Sequence, residues 1–126
     1  MGTTLETLAG VPKAMAGAMA RSWSEIPHFA EIILIDAAPM QARLAAERAR
    51  LADDPVAPRI SINDIVVHAA IAALVGEPAL NGIFANGKIE RPDTISVAVA
   101  VATDHGLMTP VLRDANDLTL PEISAR

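Results

Sequence analysis

Three features of the chain predict an α/β fold of the α+β kind, built on a mixed sheet. Val97, Val99 and Val101 alternate with Ala98, Ala100 and Ala102, a period of two that marks a strand. A second strand, Leu107 to Leu112, follows across Asp104-His105-Gly106, which has turn composition. Three further stretches carry apolar residues at helical spacing between clear start and stop signals.

Both faces of Ile95–Ala102 are apolar, so this strand is expected to be central and covered on both sides. Pro110 cannot donate to a ladder, which places the second strand at an edge or bulges it there.

The other elements follow in order. Residues 1–10 read as a loose lead-in, with the folded part at 11–126. Val11–Glu25 predicts a helix with a packing face of Met15, Met19 and Ser22, and Trp23 beside it. Ile26-Pro27 ends it, because the residue before a proline is pushed toward extended geometry. His28–Asp36, rich in Ile, predicts a strand. Pro39 opens a helix to about Ala52, with Met40, Leu44 and Leu51 on one face and Arg43, Arg48 and Arg50 on the other. Arg43 and Glu47, four apart, are placed to pair.

Ser61 is an N-cap for a helix from Ile62 to about Val75, with Asp64 at the positive end of its dipole. Ile62, Ile65, Val66, Ala69 and Ala73 make one stripe, yet most of the circumference is apolar. Burial is therefore expected nearly all round. Gly76-Glu77-Pro78 stops it. Asn86-Gly87 between short apolar runs predicts a hairpin over 84–90. Thr119-Leu120-Pro121-Glu122 reads as a capping box, with Thr119 as cap, Pro121 in the first turn and Glu122 at the third helical position; Ile123 begins the apolar stripe, although only a few residues follow. An isolated helix that short is marginal in water, so a larger fold or a partner is expected to complete it.

Composition bounds the function. The chain has 126 residues, 52% of them hydrophobic, enough for one domain with a real core. Two Phe, one Trp and no Tyr argue against base stacking, and a net charge of −5 argues against a phosphate-backbone binder. No nucleic-acid partner is therefore expected. Without cysteine there is no disulfide framework and no thiolate chemistry. No apolar run approaches the roughly 18 residues of a membrane span, so no membrane partner is expected. No basic-then-apolar start is visible, and cytoplasm is the default localisation.

Three histidines are candidates for acid–base work. His28 opens the Ile-rich segment and suits either a backbone bond or a site. His68 follows Asp64 by one helical turn, as an oriented base or a local pair. His105 lies in the turn between the last strands. There is no Gly-x-Ser-x-Gly elbow, no Gly-rich phosphate loop and no metal-ligand spacing. Residue chemistry alone yields an α/β half-domain without a complete active site.

Six segments in fixed order carry a resemblance: Ile26-Pro27-His28-Phe29; Ile60–Asp64 opening a helix; Pro78–Asn81 before a hairpin; Ile95–Ala100; Gly106–Asp114; and Leu120–Ser124. Over about residues 10–126 they resemble the N-terminal half of the catalytic domain of the dihydrolipoyl acyltransferases, the E2 components of 2-oxoacid dehydrogenase complexes. The resemblance implies a partial chloramphenicol-acetyltransferase-like fold and a homo-oligomer of trimers with active sites between subunits. It implies coenzyme A and a lipoyl group as substrates, no metal, and a lipoyl domain as partner.

In that family a His of a His-x-x-x-Asp-Gly motif takes a thiol proton and a Ser or Thr hydroxyl stabilises the oxyanion. Both belong to the other half of the domain, so no catalytic residue is assigned. The expectation is an inactive fragment. His28, Asn81 and Thr109 are the candidates for the substrate channel, because matching motifs place them at strand or helix ends. Two alternatives remain: a non-catalytic assembly module packing with E2-like trimers, and an unrelated small α/β binding domain.

Overall fold

The computed structural model describes residues 2–104 and 106–126, and the chain divides between Ile33 and Leu34 into two compact units. His105, the turn histidine, lies outside the described residues. In the first unit, helix α1 spans Gly10–Glu25. None of its residues is buried: Met19 and Trp23 are 63% and 77% exposed, so the expected packing face is uncovered. Residues 27–37 carry no regular structure, which corrects the strand expected at His28–Asp36. Strand residues need a partner for their N–H and C=O groups, and no ladder among the described residues includes this segment.

In the second unit, α2 spans Ala38–Arg50 with Pro39 in its first turn, where the missing N–H costs nothing. The Asp36 carboxylate accepts from the Ala38 N–H at 2.9 Å ahead of it. Glu47 meets Arg43 at 2.7 Å and Arg50 at 3.0 Å. Arg48 Nε donates to the Ile60 carbonyl at 2.8 Å, tying α2 to the strand-like entry of the next helix.

Helix α3 spans Ile62–Gly76 behind the expected cap. Asp64 N–H donates to Ser61 Oγ at 3.3 Å, and Ser61 N–H donates to Asp64 Oδ2 at 2.7 Å. Two orphan donors are thereby satisfied reciprocally. The face that packs is Val67, Ile71 and Leu74 rather than the expected stripe. Of that stripe only Ile65 is half-buried, against the cluster with Leu44; Ile62, Val66, Ala69 and Ala73 face solvent. A helix apolar all round gives periodicity no means of choosing its inner face.

A 3-10 turn, Pro78–Leu80, leads to strands β1 (Ile83–Ala85) and β2 (Lys88–Glu90). They pair antiparallel about Asn86 and Gly87, whose φ values are +52° and +73°. Positive φ at both central residues is what a tight primed turn requires.

The Val/Ala segment forms one long hairpin. Strand β3 (Val97–Ala98) pairs with β6 (Val111–Leu112), and β4 (Val101–Thr103) with β5 (Gly106–Met108). Both ladders keep one register: Val97 faces Leu112 and Val101 faces Met108, so no residue is inserted between them. The break falls at Pro110. Val99 N–H donates to the Pro110 carbonyl at 3.1 Å, but proline has no N–H to return the bond. The interruption is a missing donor, not a bulge. All ladders among the described residues are antiparallel and two-stranded.

Ile95, Val97 and Val99 turn inward, and Ala98 and Ala100 are exposed. The strand is therefore covered on one face only, which corrects the expectation of two.

Helix α4 spans Leu120–Ala125. Glu122 reaches back, accepting from Thr119 N–H at 2.8 Å and Thr119 Oγ at 2.6 Å. The core consists of two clusters. Ile71, Ile95, Ala115 and Ile123 form one; Leu44, Ile60 and Leu120 form the other. Ile60 is fully buried. Helix α4 serves both, through Leu120 and Ile123.

Candidate functional site

The three residues expected at a substrate channel occupy separate settings. His28 belongs to the first unit. Its ring stacks on Trp23, centroids 4.9 Å apart and planes 20° from parallel, at the exit of α1. Trp23, Ile26, Pro27 and His28 line a shallow depression there.

Asn81, in the second unit, is half-buried. Its Nδ2 donates to the carbonyls of Pro92 at 3.3 Å and Thr94 at 3.2 Å. Asn116 continues the clamp: its Oδ1 accepts from Ile95 N–H at 2.8 Å, while Ala115 N–H donates to the Ile95 carbonyl at 2.8 Å. Together they fix the entry to β3 and satisfy the backbone of a buried residue. Thr109 is exposed at the break in the hairpin, beside Val101, Met108 and Pro110. Asn81 and Thr109 line different depressions with no residue in common.

One concavity is a groove that residue chemistry did not single out. A groove of about 400 Å³ runs between the first turn of α3, the hairpin and α4. Val67, Val99, Val101, Val111 and Ile123 make its walls. Asn63 and Asp64 stand in its lining from α3, and Arg113 and Arg126 from the hairpin exit and α4. The signal was present in part: Ser61 as N-cap puts Asn63 and Asp64 in the first helical turn, and the Val-x-Val pattern supplies a wall. That the two meet is a tertiary fact.

The carboxyl groups with shifted acidity lie outside this lining. Hydrogen bonding from Arg50, more than its charge, holds Glu47 below the ordinary carboxylate range. Hydrogen bonds from Thr119 do the same for Glu122. Among the described residues no group of three or more acidic or histidine side chains is arranged to hold a metal, and no helix is long and apolar enough to cross a membrane. His68 is half-buried on α3, and the Asp64 carboxylate one turn away is turned to Ser61 rather than to it.

The fold is α+β, with an apolar groove between α3, the hairpin and α4, and its architecture is the class found in acyltransferase catalytic cores. The chain belongs to the family of 2-oxoacid dehydrogenase acyltransferases (catalytic domain), whose family model matches residues 2–126.

It is 32% identical over 117 residues to the dihydrolipoyllysine-residue acetyltransferase component of the mitochondrial pyruvate dehydrogenase complex of Schizosaccharomyces pombe, covering 93% of this chain and 24% of that protein. It is 31% identical over 120 residues to the lipoamide acyltransferase component of the branched-chain alpha-keto acid dehydrogenase complex of Bacillus subtilis, covering 93% and 27%. A probable dihydrolipoamide acetyltransferase of Listeria monocytogenes superposes with a TM-score of 0.83 at 26% identity, over 98% of this chain and 53% of that one. The truncated catalytic core of the 2-oxoacid dehydrogenase multienzyme complex of Thermoplasma acidophilum gives 0.80 at 22% identity, which speaks to fold alone.

The chain thus spans about a quarter of those curated relatives and about half of the solved chains. The reading as an unrelated small binding domain is overturned by the family match.

Proposed function

We propose that this chain supplies part of an E2-type catalytic domain that transfers an acyl group between a lipoyl dithiol and coenzyme A, and that these 126 residues do not catalyse the transfer alone. The observation that carries this is the family match across residues 2–126, set beside the three histidines of the sequence. None of His28, His68 or His105 is followed by Asp-Gly four residues on. The reaction needs a base to take the thiol proton and a donor for the developing oxyanion; neither is assigned among these residues.

In this reading His28, Asn81 and Thr109 border the substrate channel, Asn81 by holding the entry to β3 and Thr109 through an exposed side chain at the hairpin break. A lipoyl domain is the partner that delivers the dithiol, and the working assembly is a trimer-based homo-oligomer. An acetyl-CoA/dihydrolipoamide assay on the purified chain tests it. No turnover above the uncatalysed rate is expected, and robust turnover would overturn the absence of a base.

A second reading is a non-catalytic assembly module that packs with E2-like trimers. The exposed face of α3, with Ile62, Val66, Ala69 and Ala73, favours it. Light scattering with a full-length E2 separates the two: a module co-elutes with the trimer and leaves its acyl transfer intact or lowers it.

A further inference from the structure

The dipeptide Asn-Gly occurs twice in this chain, at Asn81-Gly82 and at Asn86-Gly87. It leaves an asparagine amide open to attack by the next backbone nitrogen, because glycine has no Cβ to block the approach. The fold gives the two copies opposite surroundings. Asn81 is half-buried, and its Nδ2 donates to the carbonyls of Pro92 at 3.3 Å and Thr94 at 3.2 Å. The nitrogen that would attack it is engaged as well: Gly82 N–H donates to the Leu80 carbonyl at 3.0 Å. That site is also crowded, since a Cβ on Gly82 would lie 2.9 Å from Ile89 Cγ2. Asn86 and Gly87 are exposed, and among the described residues the Asn86 side chain has no hydrogen-bond partner. The last pair of the hairpin ladder is Ala85 with Lys88, so the Gly87 N–H lies beyond it, and a Cβ on Gly87 would meet nothing within 4 Å.

We propose that Asn86 is a site of spontaneous deamidation in the folded protein, and that the clamp on Asn81 protects the other Asn-Gly from the same reaction. Solvent base takes the Gly87 amide proton, and the nitrogen attacks Asn86 Cγ. The N–Cγ bond forms, the Cγ–Nδ2 bond breaks, and Nδ2 leaves as ammonia with a proton from solvent. The product is a cyclic succinimide. Water then adds to one of its carbonyls and opens the ring, giving aspartate by one route and isoaspartate by the other. Water is the only co-reactant. The tight turn, with Asn86 at φ +52°, must open before nitrogen and carbonyl carbon can meet. That opening is cheap here: the hairpin has two short strands, and Ile83, Phe84, Lys88, Ile89 and Glu90 are all exposed. Opening at Asn81 costs more, because it breaks both side-chain bonds to the backbone leading into β3. Either product at residue 86 adds a negative charge to a chain of net charge −5, and isoaspartate also lengthens the backbone inside the turn. The clamp that sets the entry to β3 thus also keeps residue 81 an amide.

The proposal is independent of acyl transfer, and its test involves no activity. The whole purified chain is incubated in mildly alkaline buffer at physiological temperature, and fragmentation mass spectrometry of its digest follows each asparagine separately. Aspartate and isoaspartate at residue 86 are expected to exceed those at residue 81 about tenfold or more, the ratio that corresponds to about 1.4 kcal/mol of difference in opening the two sites. In guanidinium chloride, with both sites unfolded, the two rates should converge. Asn86→Gly keeps a sequence that the turn accepts, and should abolish the product there without raising it at residue 81. Equal rates at the two sites of the folded chain, or a faster rate at residue 81, would overturn the proposal. So would a folded chain intact at both sites while the unfolded chain reacts, which would show that the hairpin shields Asn86. A preference for residue 86 that persists unchanged in denaturant would overturn it too, by placing the cause in the neighbouring residues rather than in the fold.

Discussion

Residues 28–36 and residues 95–103 are similar on paper. Both are short apolar runs rich in β-branched residues, and both read as strands. Only the second becomes one. Val97–Ala98 and Val101–Thr103 find Val111–Leu112 and Gly106–Met108 a short way along the chain, and the inward Ile95 is buried with Ile71 and Ile123. Phe29–Ile35 has no neighbour in sequence that can turn back on it, and its side chains stay in solvent. The difference is not propensity. A strand is a relation between two segments, and the local pattern specifies only one of them.

The largest test of this contrast is truncation on each side of it. Ile123→Ala removes a buried side chain from the cluster that holds the hairpin, and should cost about 2–5 kcal/mol in urea unfolding. Ile33→Ala, at a comparably apolar but exposed position, should stay within about 0.5 kcal/mol. Equal losses would show that residues 28–36 are packed after all.

The next effect lies in the caps and clamps. Ser61→Ala opens the box at the start of α3 and should cost about 1 kcal/mol in thermal unfolding. Asn81→Ala leaves the Pro92 and Thr94 carbonyls without their donor, an expected loss of about 1 kcal/mol, with faster amide exchange at Ile95. Pro110→Val sharpens the comparison from the other direction. It restores the N–H that can return a bond to Val99, and should join the two ladders into one protected hairpin, read by amide exchange across 97–112.

The smallest effect is set by pH. Glu122 is more acidic in the fold than free, so its contribution is complete above the ordinary carboxylate range and is lost as pH falls through that range and below. Glu122→Gln should flatten this part of the stability profile and leave the neutral-pH fold in place. A profile unchanged by the substitution would assign the acid sensitivity elsewhere.

Much of the fold was legible because it is written locally. Ser61 with Asp64, Asn86 with Gly87, Pro39, Pro110 and Thr119 with Glu122 each act within four residues, and each was found where expected. What was illegible depends on residues distant in sequence. The inner face of α3 is chosen by Val97, Leu112 and Ile123, and an all-apolar helix gives no hint of it. The groove needs α3 and the hairpin side by side, so Asn63, Asp64, Arg113 and Arg126 were known as cap and strand residues but not as neighbours. His28, Asn81 and Thr109 entered through family resemblance, and the structure gives Asn81 a definite task in holding the chain.

Leu120 and Ile123, one turn apart, each close a different cluster. Leu44 and Ile60 therefore remain open until a residue 60 or more positions further along has arrived. On a ribosome, neither cluster can be sealed while residue 120 is still inside the exit tunnel. The emerging polypeptide must carry its bare isoleucines through that interval, when nascent-chain chaperones have the most apolar surface to hold.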